Sequence, residues 1–290
     1  MVLTIEEFAN KCVERLKDAK DLVCCIGGEE GSGKSSLAIQ IALTADPLFD
    51  LEKNILYAPD FEELKTKILT LPPYSTIIGD EAIRALYKLN WQSKAQKYIN
   101  ILYSLCRQEN KLSLLCIPKF NDLNSFFRQH RVKFWIQIIE SISRTKNIGH
   151  AVVFAKSWNP FTGDAWNFKE MQKIIDDYSH LKKLKETEFS LLHKVHVLSK
   201  SRNYIGFLEF GKMPDHLFER YTQLKQKYAY TELTMESIEE KKNKREIMWQ
   251  RRTKVLIKYM LENGKTHNEI GNIIGVTQAR VSKMLAEDDE

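Results

Sequence analysis

Residues 28–35, with the sequence GEEGSGKS, restrict the possible folds of this chain more than any other stretch. They match the phosphate-binding pattern G-x-x-x-x-G-K-[ST] at every fixed position. The apolar residues 22–26 before the loop predict a β-strand, and residues 36–43 after it predict a helix with one apolar face. In a strand–loop–helix unit of this kind, backbone N–H groups and the helix N-terminus bind phosphate. A glycine turn that binds no nucleotide is the alternative.

The loop predicts a site for ATP and Mg²⁺. Lys34 would neutralise the β- and γ-phosphates, and the Ser35 hydroxyl would ligate the metal. The predicted nucleotide-binding residues are Gly28, Glu29, Glu30, Gly31, Ser32, Gly33, Lys34, Ser35 and Ser36.

A second motif follows at residues 75–82, where a short apolar run ends in the acids Asp80 and Glu81. After a strand, the first acid can hold the Mg²⁺ shell and the second can polarise the attacking water as a general base. We therefore predict that Asp80 is a metal-site residue and that Glu81 is the catalytic base. The alternative is that the two acids form only a helix N-cap.

The rest of the first 215 residues alternates between strand-like and helical patterns, which predicts a mainly parallel sheet between helices. A buried strand at 112–118 is followed by polar candidates for a nucleotide sensor, namely Lys119, Asn121 and Asn124. Residues 150–215 add strand-like runs that we interpret as an extension of the sheet, without a prediction of which strands pair.

Composition and the length of the apolar runs indicate a globular protein and argue against a membrane-spanning or secreted one. Hydrophobic residues make up 43% of the chain and charged residues 28%, as expected for a globular protein with a core. No apolar run approaches the ~18 residues of a membrane helix, and acids stand near the N-terminus where a signal peptide carries bases. We expect a cytoplasmic protein whose cysteines, Cys12, Cys24, Cys25, Cys106 and Cys116, are reduced core thiols. The net charge of +6 permits a nucleic-acid partner without requiring one.

The C-terminal quarter differs in character. Residues 216–248 are charged and helix-permissive; they form either a solvated connector or, through the bases at 241–245, a DNA-facing stretch. Residues 249–290 predict three helices. Thr266 and Glu269 form a capping box at the start of the second, and Gly275 makes the tight turn before the third.

This arrangement predicts a helix-turn-helix domain. The apolar residues Ile270, Ile274, Val276, Val281 and Leu285 fall where such a domain buries its core. The outward side chains of the third helix suit base edges and phosphates in a major groove. The predicted DNA-binding residues are Thr277, Gln278, Arg280, Ser282 and Lys283. A three-helix bundle used for packing or protein contact is the alternative.

The first 150 residues resemble the additional-strand, catalytic-glutamate division of P-loop ATPases. The resemblance rests on residues 28–35, 77–81 and 112–118. Within that division the chain looks like the FtsK–HerA group, which includes DNA-pumping, virion-packaging and zonular-occludens-toxin-like ATPases, through the triple at 80–82, Arg107 and residues 127–131. Many members carry a glutamine where Pro118 and Lys119 stand here, so the sensor is unassigned.

The resemblance implies a RecA-like α/β domain and a ring or filament in which one subunit supplies an arginine to its neighbour's nucleotide. The candidate arginines are Arg107, Arg128 and Arg131. The predicted catalytic residues are then Lys34, Asp80, Glu81, Arg107 and Arg128. C-terminal residues 268–271 and 275–282 resemble the helix-turn-helix of bacterial and archaeal regulators.

The predicted organisation is an ATPase domain at 1–215, with a core at 1–150, followed by the connector and the helix-turn-helix domain. The predicted function is Mg²⁺-dependent ATP hydrolysis coupled to the binding of double-stranded DNA. Such an enzyme would translocate, package or remodel DNA for a virus, plasmid or mobile element. Its expected partners are DNA, further copies of the chain, and other proteins of that phage or mobile element. One alternative is a DNA-bound adaptor or regulator whose assembly is switched by ATP. A small-molecule kinase is disfavoured by Glu81 directly after Asp80 and by the DNA-type C-terminus.

Overall fold

The computed structural model describes residues 2–18, 21–57, 61–80, 103, 109–142, 147–157, 164–167, 173–174 and 188–286. The chain divides into two compact units, Met1–Ala229 and Tyr230–Glu290, which we describe separately. The sequence placed the end of the first domain near residue 215, whereas the first unit extends to Ala229.

A mixed sheet forms the centre of the first unit. Its eight described strands are β1 (Val2–Leu3), β2 (Leu22–Gly27), β3 (Ile55–Leu56), β4 (Thr76–Gly79), β5 (Leu112–Ile117), β6 (Val132–Glu140), β7 (Ile148–Ala155) and β8 (Tyr204–Gly211). They lie in the order β1-β8-β7-β6-β2-β5-β4-β3. Only β7 runs antiparallel to its neighbours among these strands, and every other pair is parallel. The predicted α/β class with a mainly parallel sheet is confirmed.

Helices cover both faces of this sheet. Those described in the first unit are α1 (Ile5–Lys17), α2 (Lys34–Ala45), α3 (Leu51–Asn54), α4 (Phe61–Thr70), α5 (Ser125–His130), α6 (Glu188–Leu198) and the start of α7 (Asp215–Glu262). Thr4 and Glu7 form a reciprocal capping box at the start of α1, as the sequence predicted.

Strand β2 lies in the middle of the sheet and is buried on both faces. Leu22, Cys24 and Ile26 join one hydrophobic core, and Val23 and Cys25 join the other. Full burial on both sides explains why β2 has an unbroken apolar sequence instead of an alternating one. The residue after β2 therefore leaves the sheet at a fixed position, at the carboxyl end of a central strand.

The described cysteines are free and buried, in agreement with the sequence prediction: Cys12, Cys24, Cys25 and Cys116. Burial raises the pKa of the Cys25 and Cys116 thiols, so these side chains stay protonated. Among the residues that the structure describes, no helix combines the length and apolar character needed to cross a membrane.

The second unit contains the end of α7 and the helices α8 (His267–Ile274) and α9 (Gln278–Ala286). Its core consists of Ile257, Ile270, Val281 and Met284. Thr266 and Glu269 form the predicted capping box at the start of α8. Gly275, which ends α8, has the left-handed conformation that a side chain would disfavour.

Candidate nucleotide-binding site

The loop at 28–35 leaves the sheet between two parallel neighbours of β2, namely β5 and β6. Gly31 and Gly33 have φ angles of +73° and +93°, and Gly33 is the N-cap of α2. Two left-handed positions so close together reverse the chain and bring it directly into the helix. The sequence prediction of strand, glycine loop and helix start agrees with this local structure.

Lys34 lies against the loop that precedes it. Its Nζ donates hydrogen bonds to the carbonyl oxygens of Gly28, at 3.0 Å, and Glu29, at 2.7 Å. Burial lowers the pKa of the Lys34 ammonium, with opposing contributions from Cys116 and Asp80. A partly desolvated cation at the N-terminus of α2 is a favourable environment for an anion such as a phosphate.

The two residues predicted to serve the metal are in direct contact. The Ser35 hydroxyl donates a hydrogen bond of 2.8 Å to Asp80 Oδ1. Asp80 directly follows β4, is 2% exposed, and donates its backbone N–H to the Leu56 carbonyl of β3. A hydroxyl and a carboxylate held together offer the hard oxygen ligands that Mg²⁺ takes alongside nucleotide phosphates. These residues fit the predicted Mg²⁺.

Two further residues bind the same carboxylate, and sequence reasoning missed both. The Tyr221 hydroxyl donates to Asp80 Oδ2 at 2.6 Å, and Lys225 Nζ donates to the same oxygen at 2.8 Å. Burial and the neighbouring Asp80 charge raise the pKa of Tyr221, which keeps the phenol protonated as a donor. Both residues lie on α7 within the first unit, one helical turn apart and therefore on one face.

These groups line one cavity of about 640 Å³. Its volume lies within the range of about 300–1,000 Å³ that is typical of small-molecule sites. The loop, β5, α7 and the residue that follows β4 all contribute to its wall. The lining residues are Glu30, Gly31, Gly33, Lys34, Ser35, Ser36, Asp80, Cys116, Pro118, Met213, Phe218, Tyr221 and Lys225.

Other predicted site residues lie elsewhere or outside the description. Glu81 and Arg107 are outside the described residues. Arg128 Nη1 donates to the Asn121 carbonyl at 3.2 Å, and its guanidinium lies 6.0 Å from the ring centre of Phe120. Burial lowers the pKa of Arg128. Arg128 is thus half-buried beside its own helix and does not line the cavity described above.

The sensor candidates also have local roles. The Asn124 side chain accepts a hydrogen bond from the Phe127 backbone N–H and caps α5. Lys119 is exposed and, like Asn124, is not part of the cavity wall.

The predicted DNA contacts lie on the surface of the second unit, because all five side chains at positions 277, 278, 280, 282 and 283 are exposed. The Thr277 hydroxyl accepts a hydrogen bond from the Arg280 backbone N–H at 3.3 Å, at the start of α9. Ser282 Oγ lies 3.1 Å from His267 Nδ1, so α8 and α9 are joined by a polar contact as well as by their core.

No protein-family model matches this chain, and none of the curated proteins is significantly similar to it. Among solved structures, the chain is similar to the N-terminal domain of zonular occludens toxin from Neisseria meningitidis, at 17% identity. The alignment covers 47% of this chain and 84% of that domain, with a TM-score of 0.32.

Proposed function

We propose that this protein is a Mg²⁺-dependent ATPase that acts on double-stranded DNA. The observation that carries the proposal is the contact between the Ser35 hydroxyl and the Asp80 carboxylate, at 2.8 Å, directly beside the glycine loop. Because the two motifs are far apart in the sequence, their convergence on one cavity is not a consequence of local structure. It is the arrangement that a phosphate-and-metal site requires.

The strand order supports assignment to the additional-strand division. Strand β5 lies between β2, which leads into the loop, and β4, which ends at Asp80. An added strand between the two motif-bearing strands is the feature after which the division is named. A RecA-like arrangement is compatible with this order and with the helices on both faces.

In this proposal each residue has a separate task. Lys34 and the N-terminus of α2 bind and orient the phosphates, while Ser35 and Asp80 hold the metal, which supplies charge neutralisation at the transferred phosphoryl group. Glu81, the next residue after Asp80, orients the attacking water and accepts its proton. A ring or filament in which Arg107 or Arg128 reaches a neighbour's nucleotide belongs to the same proposal.

We assign DNA binding to the second unit. Two features support a helix-turn-helix. Gly275 has a left-handed conformation between α8 and α9, and the side chains of Thr277, Gln278, Arg280, Ser282 and Lys283 are exposed. In such a domain the N-terminal residues of the second helix contact base edges in the major groove. An ATPase domain joined to a DNA-binding domain fits the translocation, packaging or remodelling of DNA for a virus, plasmid or mobile element.

ATP turnover with and without duplex DNA tests the enzymatic part of the proposal. We expect turnover to rise with DNA and to fall at least ~100-fold in a Glu81→Gln variant, the effect expected from loss of a general base. Glu63→Gln is a matched control, because that carboxylate lies on α4 and pairs with Lys67 on the same helix. Equal turnover in wild type and Glu81→Gln would refute the role of Glu81.

Duplex binding at several salt concentrations tests the DNA part. Arg280→Ala should weaken binding and, if Arg280 contacts phosphate, reduce the slope of log affinity against log salt by about one. Arg220→Ala is the control, because this arginine pairs with Asp50 in the first unit. An unchanged affinity in Arg280→Ala would remove α9 from the proposed interface.

One observation favours the alternative of an ATP-switched adaptor with slow turnover. Asp80 already accepts hydrogen bonds from Ser35, Tyr221 and Lys225, and a metal must compete with them. Slow turnover at one preferred DNA site would support the switch, whereas fast turnover with duplexes of any sequence would support translocation.

A further inference from the structure

The two oxygens of the Asp80 carboxylate have different partners. Oδ1 is bound by Ser35, while Oδ2 is bound by both Tyr221 and Lys225. The Lys225 ammonium is the cation of this group, and its nitrogen lies 2.8 Å from Oδ2 of the carboxylate that would hold the metal.

Charge repulsion opposes the joint presence of Lys225 and Mg²⁺ at this oxygen. A univalent ammonium and a divalent ion would stand within a few ångströms of each other around a single negative charge, where like charges repel strongly. Binding of a metal ion at this oxygen therefore disfavours the ammonium there.

Burial indicates which α7 residue moves. The Tyr221 side chain is 7% exposed and its ring contacts that of Tyr57, so its position is fixed by packing. The Lys225 side chain is 38% exposed and has a path to water. It also lines the same cavity as Lys34 and Ser36, so a flexible cation on α7 faces the predicted phosphate-binding loop.

We propose that Lys225 and Mg²⁺ compete for Asp80, so that Mg²⁺·nucleotide binding displaces the Lys225 ammonium while Tyr221 continues to orient the carboxylate. Lys225 is then a positioning residue that sets the magnesium requirement of nucleotide binding. The inference rests on the proposed function, since it concerns the same site.

The test is Mg²⁺ titration of binding of mant-ATP, a fluorescent ATP analogue, to the full chain. Lys225→Met removes the charge and keeps most of the length of the side chain. It should lower the Mg²⁺ concentration at half-maximal binding by roughly 5- to 150-fold, the range of typical coupling between two binding events. Lys225→Arg keeps a cation and should stay within about threefold of wild type, because the guanidinium can make the same ion pair.

Lys227→Met is the matched control. It removes a charge from the same helix, but that ammonium pairs with Glu52 and is 66% exposed. Its midpoint should stay within about twofold of wild type, as expected for a screened surface charge. An unchanged or raised midpoint in Lys225→Met would overturn the competition.

Hydrogen exchange on the wild-type chain gives a second readout that does not depend on a variant folding. Amides of residues 215–229 should exchange faster with mant-ATP and Mg²⁺ than with mant-ATP and EDTA, because the metal removes a contact that holds α7. Equal exchange would contradict the displacement. Failure of the wild type to bind mant-ATP at any Mg²⁺ concentration would instead refute the proposed function itself.

Discussion

Replacement of Tyr221 by phenylalanine isolates one hydrogen bond to the buried Asp80. The ring stays in place against Tyr57, and only the hydroxyl that donates to Oδ2 at 2.6 Å is lost. A hydrogen bond to a charged group contributes about 1.5–3 kcal/mol. Because Asp80 keeps Ser35 and Lys225 as donors, we expect a loss near the lower end, about 1.5–2 kcal/mol in the free energy of unfolding.

Urea unfolding followed by tryptophan fluorescence measures this loss, read from the transition of the first unit. Tyr74→Phe is a suitable control in the same unit, since Tyr74 is 47% exposed. Its effect should stay within about 0.5 kcal/mol, as for most surface substitutions. A similarly small effect of Tyr221→Phe would refute the view that the carboxylate depends on α7 for its hydrogen bonds.

Three further predictions concern the backbone and the thiols. Gly33→Ala should destabilise the first unit by at least ~1–2 kcal/mol in urea unfolding. The loss should exceed that of Gly31→Ala, because an added Cβ would lie 3.3 Å from the Phe210 ring at position 33 and in open space at position 31. Equal losses in the two variants would contradict this prediction. Gly271→Ala should lower the melting temperature of the second unit by circular dichroism, because its Cβ would lie 2.6 Å from the Val276 carbonyl oxygen; an unchanged melt would refute that close approach. In a Cys106→Ser variant, the four buried thiols should react with a thiol reagent only after urea is added, and rapid native reaction would contradict their burial.

The phosphate loop could be predicted from sequence because its whole signal is contiguous. An apolar strand, positions for left-handed glycines and a helix start follow one another within residues 22–45, and no distant contact is needed to interpret them. The capping boxes at Thr4 and Thr266 were predictable for the same reason, since each involves residues three apart. Local chemistry determines these features almost completely.

The α7 contribution to the site could not be predicted, because it is a long-range contact. Tyr221 and Lys225 lie 141 and 145 residues after Asp80. Nothing in a charged helical sequence distinguishes a lysine that pairs with a buried carboxylate from one that faces water. The short strand β1, at Val2–Leu3, pairs with β8 and escaped prediction because two residues carry no periodicity.

The same contacts that stabilise Asp80 limit its availability to a metal. A carboxylate that is 2% exposed is costly to bury unless its oxygens accept hydrogen bonds, and α7 supplies two of its three side-chain donors. Loss of the Lys225 donor should therefore reduce the stability of the first unit and also make Mg²⁺ binding easier. The loss of stability and the gain in Mg²⁺ affinity occur together only if the same carboxylate oxygen binds Lys225 and the metal. Such conflicts between stability and activity are common at functional sites. If stability fell in Lys225→Met without a gain in Mg²⁺ affinity, the ion pair would be structural and the metal would approach Asp80 from another side.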